Sequence, residues 1–296
     1  MSKPIPIFLS SDDNYAPFVA TTIASICANT TSFIDFYVLD GGISDFNKNQ
    51  IENLKEKFEN LSIEFMKIDT TKEFKNIQPK KHITLSAFNR LLIPQLKPGI
   101  DKALYLDVDI IVLGDIAELY NEPLENYVIG AVVDQVVESH IDLAKSALNM
   151  RPDSHYFNSG VLLIDCEAWR SKNITPQLMK LEAQYGDVRI HNDQDILNKY
   201  FENNNYKMLD KKYNVMHTND SVVLRHFIGP VKPVHSDIKD VSNKNLTAFP
   251  HKDEFWKYAT MTAFYNTFLE LRAKFLDANP LYKRLNKIFE KQTQDR

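Results

Sequence analysis

Residues 5–15 read Ile5-Pro6-Ile7-Phe8-Leu9-Ser10-Ser11-Asp12-Asp13-Asn14-Tyr15, an apolar β-prone run that stops abruptly in a polar loop. Such a run predicts a buried strand with a polar loop at its carboxyl end. Tyr15 to Ala28 follows with apolar residues at helical spacing (Val19, Ile23, Ile26), then a second strand over Ile34 to Leu39. After Gly41-Gly42 the pattern predicts a helix from Ser44 to Phe58 and a third strand from Ser62 to Ile68. Strand, helix, strand, helix, strand is the rhythm of a doubly wound, Rossmann-like α/β sheet, whose ligands gather at the carboxyl ends of the strands.

The rhythm continues through a helix over Phe88-Asn89-Arg90-Leu91-Leu92 and strands at Ala103–Leu106, Val128–Val133 and Gly160–Ile164, the last preceded by turn chemistry at Asn158 and Gly160. No internal repeat or low-complexity tract interrupts it. The composition shifts near Pro250, which predicts an α/β unit over residues 1–250 and a helical tail over 251–296. In the tail a long helical pattern runs from Asp253 through Phe255, Tyr258, Ala259, Phe264, Phe268, Leu271 and Phe275. Beyond Pro280, Leu281, Tyr282, Leu285, Ile288 and Phe289 can share one helix face, with Lys283, Arg284, Lys287 and Lys291 beside it. That pattern suits peripheral contact with an anionic membrane surface, or packing on the protein itself.

The chain has 296 residues, 44% hydrophobic and 25% charged, which is globular composition with room for a sizeable core. A net charge of -4 supplies no basic field to recruit nucleic acid. Cys27 and Cys166 sit in no paired spacing, and the N-terminal apolar run is too short for a signal peptide. A cytoplasmic location is the expectation.

The chemistry centres on Leu104-Tyr105-Leu106-Asp107-Val108-Asp109-Ile110-Ile111-Val112. Two carboxylates one residue apart at a strand end can face a common hard cation. Taken alone the triplet reads equally as a solvated strand end or a helix cap, and Asp193-Gln194-Asp195 is another. The apolar flanks favour the cation, because adjacent buried carboxylates are costly without one.

Five stretches in order, SSDDNY (10–15), LYLDVDIIV (104–112), YFNSGVLLI (156–164), NDQDILN (192–198) and RHFIGPVKPVH (225–235), resemble the motifs of the family 8 glycosyltransferases. The likeness is greatest to bacterial lipopolysaccharide and lipooligosaccharide galactosyl- and glucosyltransferases. It implies a GT-A fold, a UDP-galactose or UDP-glucose donor, a saccharide or glycolipid acceptor, Mn²⁺ with Mg²⁺ as substitute, and retention of anomeric configuration. By this resemblance Asp107, Asp109 and His226 hold the metal, and Gly229 and Lys232 close over the diphosphate. Ser10, Asp12 and Asn14, with Val108, hold the nucleotide, although Asp12 to Asn14 also suit a helix cap. Arg90, Asn158 and Asp193 surround the donor sugar, Gln194 lies nearest the anomeric carbon and turns its carbonyl oxygen toward it, and His82 and Asp134 meet the acceptor. Pro230 and Val234 depart from the family pattern.

Other classes fit less well. A nucleotidyltransferase needs a Gly-rich basic loop after the first strand, which is absent, and a haloacid-dehalogenase-type phosphatase needs Thr where Ile111 stands. A glycogenin-like self-glucosylating enzyme and a UDP-sugar-binding module without turnover share the motifs, and activity separates them.

Overall fold

The computed structural model describes residues 3–75, 77, 85–135, 138–216, 221–229, 232–235 and 251–278. In chain order the elements are β1 (Ile5–Ser11), α1 (Ala16–Asn29), β2 (Ile34–Asp40), α2 (Asp45–Glu52), β3 (Leu61–Lys67), α3 (Thr70–Glu73), α4 (Ile93–Leu96), β4 (Lys102–Leu106), β5 (Ile110–Val112), α5 (Ile116–Tyr120), β6 (Ile129–Val133), α6 (Glu138–Ala147), β7 (Phe157–Asp165), α7 (Cys166–Ser171), α8 (Ile174–Tyr185), α9 (Asp193–Tyr200), β8 (Lys207–Met208), β9 (Leu224–His226), α10 (Lys252–Ala259) and α11 (Tyr265–Ala278). Seven strands form one mixed sheet in the order β3-β2-β1-β4-β7-β6-β8, and β5 pairs with β9 in a second, two-stranded sheet. β1, β2, β3 and β4 run parallel, as the alternating pattern predicts, while β7 is antiparallel to both β4 and β6.

Both faces of the sheet are covered. Ile7, Leu9, Leu104, Leu106, Val161 and Leu163 face α1, α10 and α11. Phe8, Ala103, Tyr105, Leu162 and Ile164 alternate with them and face Trp169, Leu178 and Ile196 of α7, α8 and α9. This period of two, apolar on both sides, is why the strands read as continuous hydrophobic runs. α1 is buried from Ala16 to Cys27, lying between the sheet and the C-terminal helices. Phe18, Phe255 and Phe268 close a ring cluster there, with centroids 5.2–5.6 Å apart. Each such ring contributes roughly 1.5–3 kcal/mol by burial, so the helices after residue 250 belong to the same core as far as Phe268.

Three local expectations change. The helix expected over Phe88–Leu92 is a 3₁₀ helix that starts three residues earlier, at Leu85. β7 begins at Phe157, so Asn158 and Gly160 are strand residues opposite an irregularity between Ala131 and Val132, not a turn before the strand. The C-terminal pattern breaks into α10 and α11 at Thr260–Phe264, where the Thr262 hydroxyl donates to Ala259 O and accepts from Phe264 N. The basic segment 281–291, Pro230 and His82 lie outside the described residues. Among the described residues, no helix is long and apolar enough to cross a membrane.

Candidate active site

The site is assembled where β4 ends. The Asp107 N–H donates to the Gly160 carbonyl at 2.8 Å, so β7 keeps the backbone extended up to the first carboxylate. From the other side the buried Thr22 hydroxyl of α1 lies 2.8 Å from Val108 O and 2.9 Å from Ile110 O, which pins the Asp107–Asp109 turn. The chain re-enters as β5, and antiparallel pairing sets Ile110 opposite His226 of β9. His226 Nε2 then stands 3.1 Å from Asp109 Oδ1 and 3.9 Å from Asp107 Oδ2.

One ligand atom from each of Asp107, Asp109 and His226 lies within 4.8 Å of the others. Gly160 faces this trio: a Cβ there would lie 2.5 Å from His226 Cε1 and 2.7 Å from Asp107 Oδ2. The missing side chain leaves the space between the donors open. Two carboxylates and an imidazole fit a divalent cation.

Two buried cations compensate the carboxylates. Lys232 Nζ is 2.5 Å from Asp109 Oδ2 and donates to Phe227 O at 2.9 Å. Burial alone raises the Asp109 pKa, but Lys232 and His226 outweigh it and hold the carboxyl well below the usual range. Arg90 NH2 meets Asp107 Oδ1 at 3.1 Å, and its Nε lies 2.9 Å from Asp193 Oδ2 while hydrogen-bonding Ala87 O. Its guanidinium sits 4.3 Å from the centroid of the Tyr105 ring, whose hydroxyl donates to Asp107 Oδ1 at 2.7 Å. Asp193 has the opposite balance to Asp109. Burial pushes its pKa up to about 7, with Arg90 opposing and Asp107 adding to the rise.

Asn158, Asp134 and Gln194 form one buried polar group beside these charges. Asp134 Oδ2 accepts from Asn158 Nδ2 and Gln194 Nε2, each at 3.2 Å. Gln194 Oε1 accepts from Ser159 N at 3.0 Å and from Asn158 Nδ2 at 3.3 Å. The carbonyl oxygen that sequence reasoning turns toward the reacting carbon is therefore engaged by β7. At the first strand, Asp12 Oδ1 accepts from Asn14 N and Tyr15 N, so the capping role is realised. Ser10 Oγ donates to Ser86 O at 2.7 Å and accepts from Asn89 Nδ2 at 3.1 Å, which ties this loop to the 3₁₀ helix bearing Arg90. Val108 is packed in the core. Gly229 adopts φ +87°, a backbone conformation that glycine alone adopts freely. Val234 is fully buried, so its departure from the family pattern is accommodated in the core.

The structure thus brings Arg90, Asp107, Asp109, Asp193, His226 and Lys232 together, and beside them stand Tyr105, Ser159, Gly160 and the strand that carries His226, which the motifs alone do not mark. The short β-branched and apolar run Val222-Val223-Leu224 just before Arg225-His226 is the signal that could have found β9.

A mixed α/β sheet with a carboxylate pair at the end of its central strand fits the GT-A class. The chain belongs to glycosyl transferase family 8, whose family model matches residues 6–237. It is 30% identical to general stress protein A of Bacillus subtilis, over 85% of this chain and 92% of that one. It is 28% identical to the lipopolysaccharide 1,3-galactosyltransferase of Salmonella typhimurium, over 76% of this chain and 71% of the relative. Among solved structures, the galactosyltransferase LgtC in complex with donor and acceptor sugar analogs superposes with a TM-score of 0.76 at 27% identity, covering 90% of this chain and all of that one.

Proposed function

We propose that this chain moves galactose or glucose from a UDP-hexose to a saccharide acceptor of a cell-surface glycan such as lipopolysaccharide, with retention of anomeric configuration. The observation that carries this reading is the β5–β9 pairing, which brings His226 onto the Asp107–Asp109 turn with Lys232 beside it. Asp107, Asp109 and His226 would hold Mn²⁺, or Mg²⁺ in its place, and the bound ion would neutralise charge on the donor diphosphate.

The remaining roles belong to the protein. Ser10, Asp12, Asn14 and Val108 hold the nucleoside, and Gly229 and Lys232 close over the diphosphate. Arg90, Asn158 and Asp193 hold sugar hydroxyls, while His82 and Asp134 stand toward the acceptor. Asp193 is the stronger nucleophile on chemical grounds, yet its raised pKa and its contact with Arg90 both weaken it in that role. This supports same-face substitution: the acceptor hydroxyl bonds to the anomeric carbon as the bond to UDP breaks, and its proton passes to a diphosphate oxygen of the departing UDP. Gln194 keeps the surrounding dipoles fixed as charge develops.

The test is release of UDP from UDP-galactose and from UDP-glucose with Mn²⁺, followed by an acceptor panel with the better donor. Turnover that chelator abolishes supports the reading, and full turnover in excess chelator sinks it. An inverted product, seen from the proton coupling at the new anomeric centre, overturns retention. The same reading places the protein in the cytoplasm with residues 281–291 resting on the inner membrane face. Equal binding to anionic vesicles by the intact chain and by one ending at Asn279 removes the membrane contact.

A further inference from the structure

We infer that Asn214 is a positioning residue that orients the His226 ring, holding a proton on Nδ1 so that Nε2 is the nitrogen that faces Asp107 and Asp109 and is left for a cation. The inference rests on the metal centre proposed above, and it starts from a group whose hydrogen-bonding role is unambiguous. A backbone N–H can only donate, and the Gly160 N–H is 3.0 Å from the Asn158 side chain, so the near atom there is Oδ1. That oxygen also lies 2.9 Å from the Asn214 amide, whose near atom must then be the donor Nδ2. The opposite end of Asn214 is therefore its carbonyl oxygen, and it stands 2.9 Å from His226 Nδ1. A carbonyl oxygen only accepts, so Nδ1 carries the hydrogen.

The far end of the relay agrees. Asn158 Nδ2 points at the Asp134 carboxylate at 3.2 Å and at Gln194 Oε1 at 3.3 Å, and the Ser159 N–H independently fixes that oxygen at 3.0 Å. Two successive backbone donors of β7 thus orient three amides and, through them, one imidazole. Asn214 is fully buried, and its backbone is held beside β9: Val215 N donates to Leu224 O, and His226 N donates to Val215 O, each at 2.9 Å. Neither end of the relay can rotate without leaving a buried donor or acceptor unpaired, a cost of about 1–3 kcal/mol.

The experiment is long-range ¹H–¹⁵N correlation on ¹⁵N-histidine-labelled, metal-free protein, with His226 assigned by its loss in His226→Gln. The expected pattern has a proton on Nδ1 in the wild type, whether or not Nε2 also shares one with Asp109. Asn214→Leu, which removes the acceptor, should change the Nδ1 signal and weaken Mn²⁺ binding about 10- to 100-fold by calorimetric titration. Asn214→Asp, which keeps an acceptor facing Nδ1 but loses the donor to Asn158 Oδ1, should preserve the Nδ1–H pattern and bind Mn²⁺ more tightly than Asn214→Leu. A wild type with no proton on Nδ1 overturns the inference, as does a folded Asn214→Leu protein with an unchanged Nδ1 signal and unchanged Mn²⁺ affinity. A wild type with the expected Nδ1 proton that binds no Mn²⁺ overturns the metal centre instead, so the two failures are distinguishable.

Discussion

Lys232 places its ammonium 2.5 Å from Oδ2 of Asp109, the carboxylate that also meets His226 Nε2 at 3.1 Å. Both charged side chains are largely buried, so the lysine serves as a built-in counter-charge to Asp109. A diphosphate arriving at this end of the sheet offers the ammonium a second anion, and a divalent ion offers Asp109 a second cation.

Removing the lysine should therefore expose that balance. Lys232→Met should destabilise the metal-free protein near pH 7 by about 3 kcal/mol, the scale of breaking a buried pair. The Asp109 pKa is depressed in the fold, so the pair contributes above the ordinary 3.8 and its contribution is lost as pH falls. Denaturation curves should accordingly converge below about pH 4, and Mn²⁺ should raise the melting temperature of the variant more than that of the wild type. Parallel stability profiles with equal Mn²⁺ shifts would refute the counter-charge role.

Asp193 gives a pH dependence of the opposite sign. Its pKa is raised in the fold from 3.8 to about 7 by burial, so its contribution is full below 3.8 and is lost as pH rises toward 7. Asp193→Asn removes the titration. Between pH 4 and 7 the wild type should lose, relative to this variant, on the order of a few kcal/mol of stability. Urea unfolding at several pH values measures it, and a constant difference across that window would count against the assignment.

Gly160→Ala should separate metal binding from folding. The added methyl meets the His226 ring and the Asp107 carboxylate, and overpacking of this kind costs about 1–3 kcal/mol. Mn²⁺ affinity should fall about tenfold or more because two of three donors are displaced. Unchanged affinity by calorimetry would show that the donors yield freely.

Gln194→Ala should slow turnover by about 10- to 100-fold without silencing it, the effect of one or two lost polar contacts. The Ser159 N–H and the amides around Asp134 lose their common partner, but the metal donors stay in place. Retention should survive in the product. A covalent glycosyl-enzyme trapped at Asp193 or Gln194 during normal turnover would require double displacement instead.

The parallel half of the sheet was legible because its strands are apolar on both faces and punctuated by polar loops. Asp107 and Asp109 were legible because an apolar strand runs straight into them. β9 was not, since only three residues pair and their partner, β5, lies far away in the chain. Asn214 carries no local signal at all: its role exists only once Gly160, Asn158 and His226 meet. The break between α10 and α11 was hidden because Thr262 makes it with its hydroxyl, with no glycine or proline to mark it.

The two-stranded β5–β9 ribbon also sets an order of events during synthesis. A ribbon this small is marginal by itself in water, and here it is clamped from outside. Arg225 holds Glu254 of α10 at 2.9 and 3.3 Å, and the Phe227 ring meets Phe255 edge-on at 6.1 Å. A nascent chain therefore presents both aspartates long before the histidine arrives, and the histidine is not secured until α10 emerges and docks. Closing so long a loop is slow, so the two aspartates and the histidine come together only when the C-terminal helices are in place.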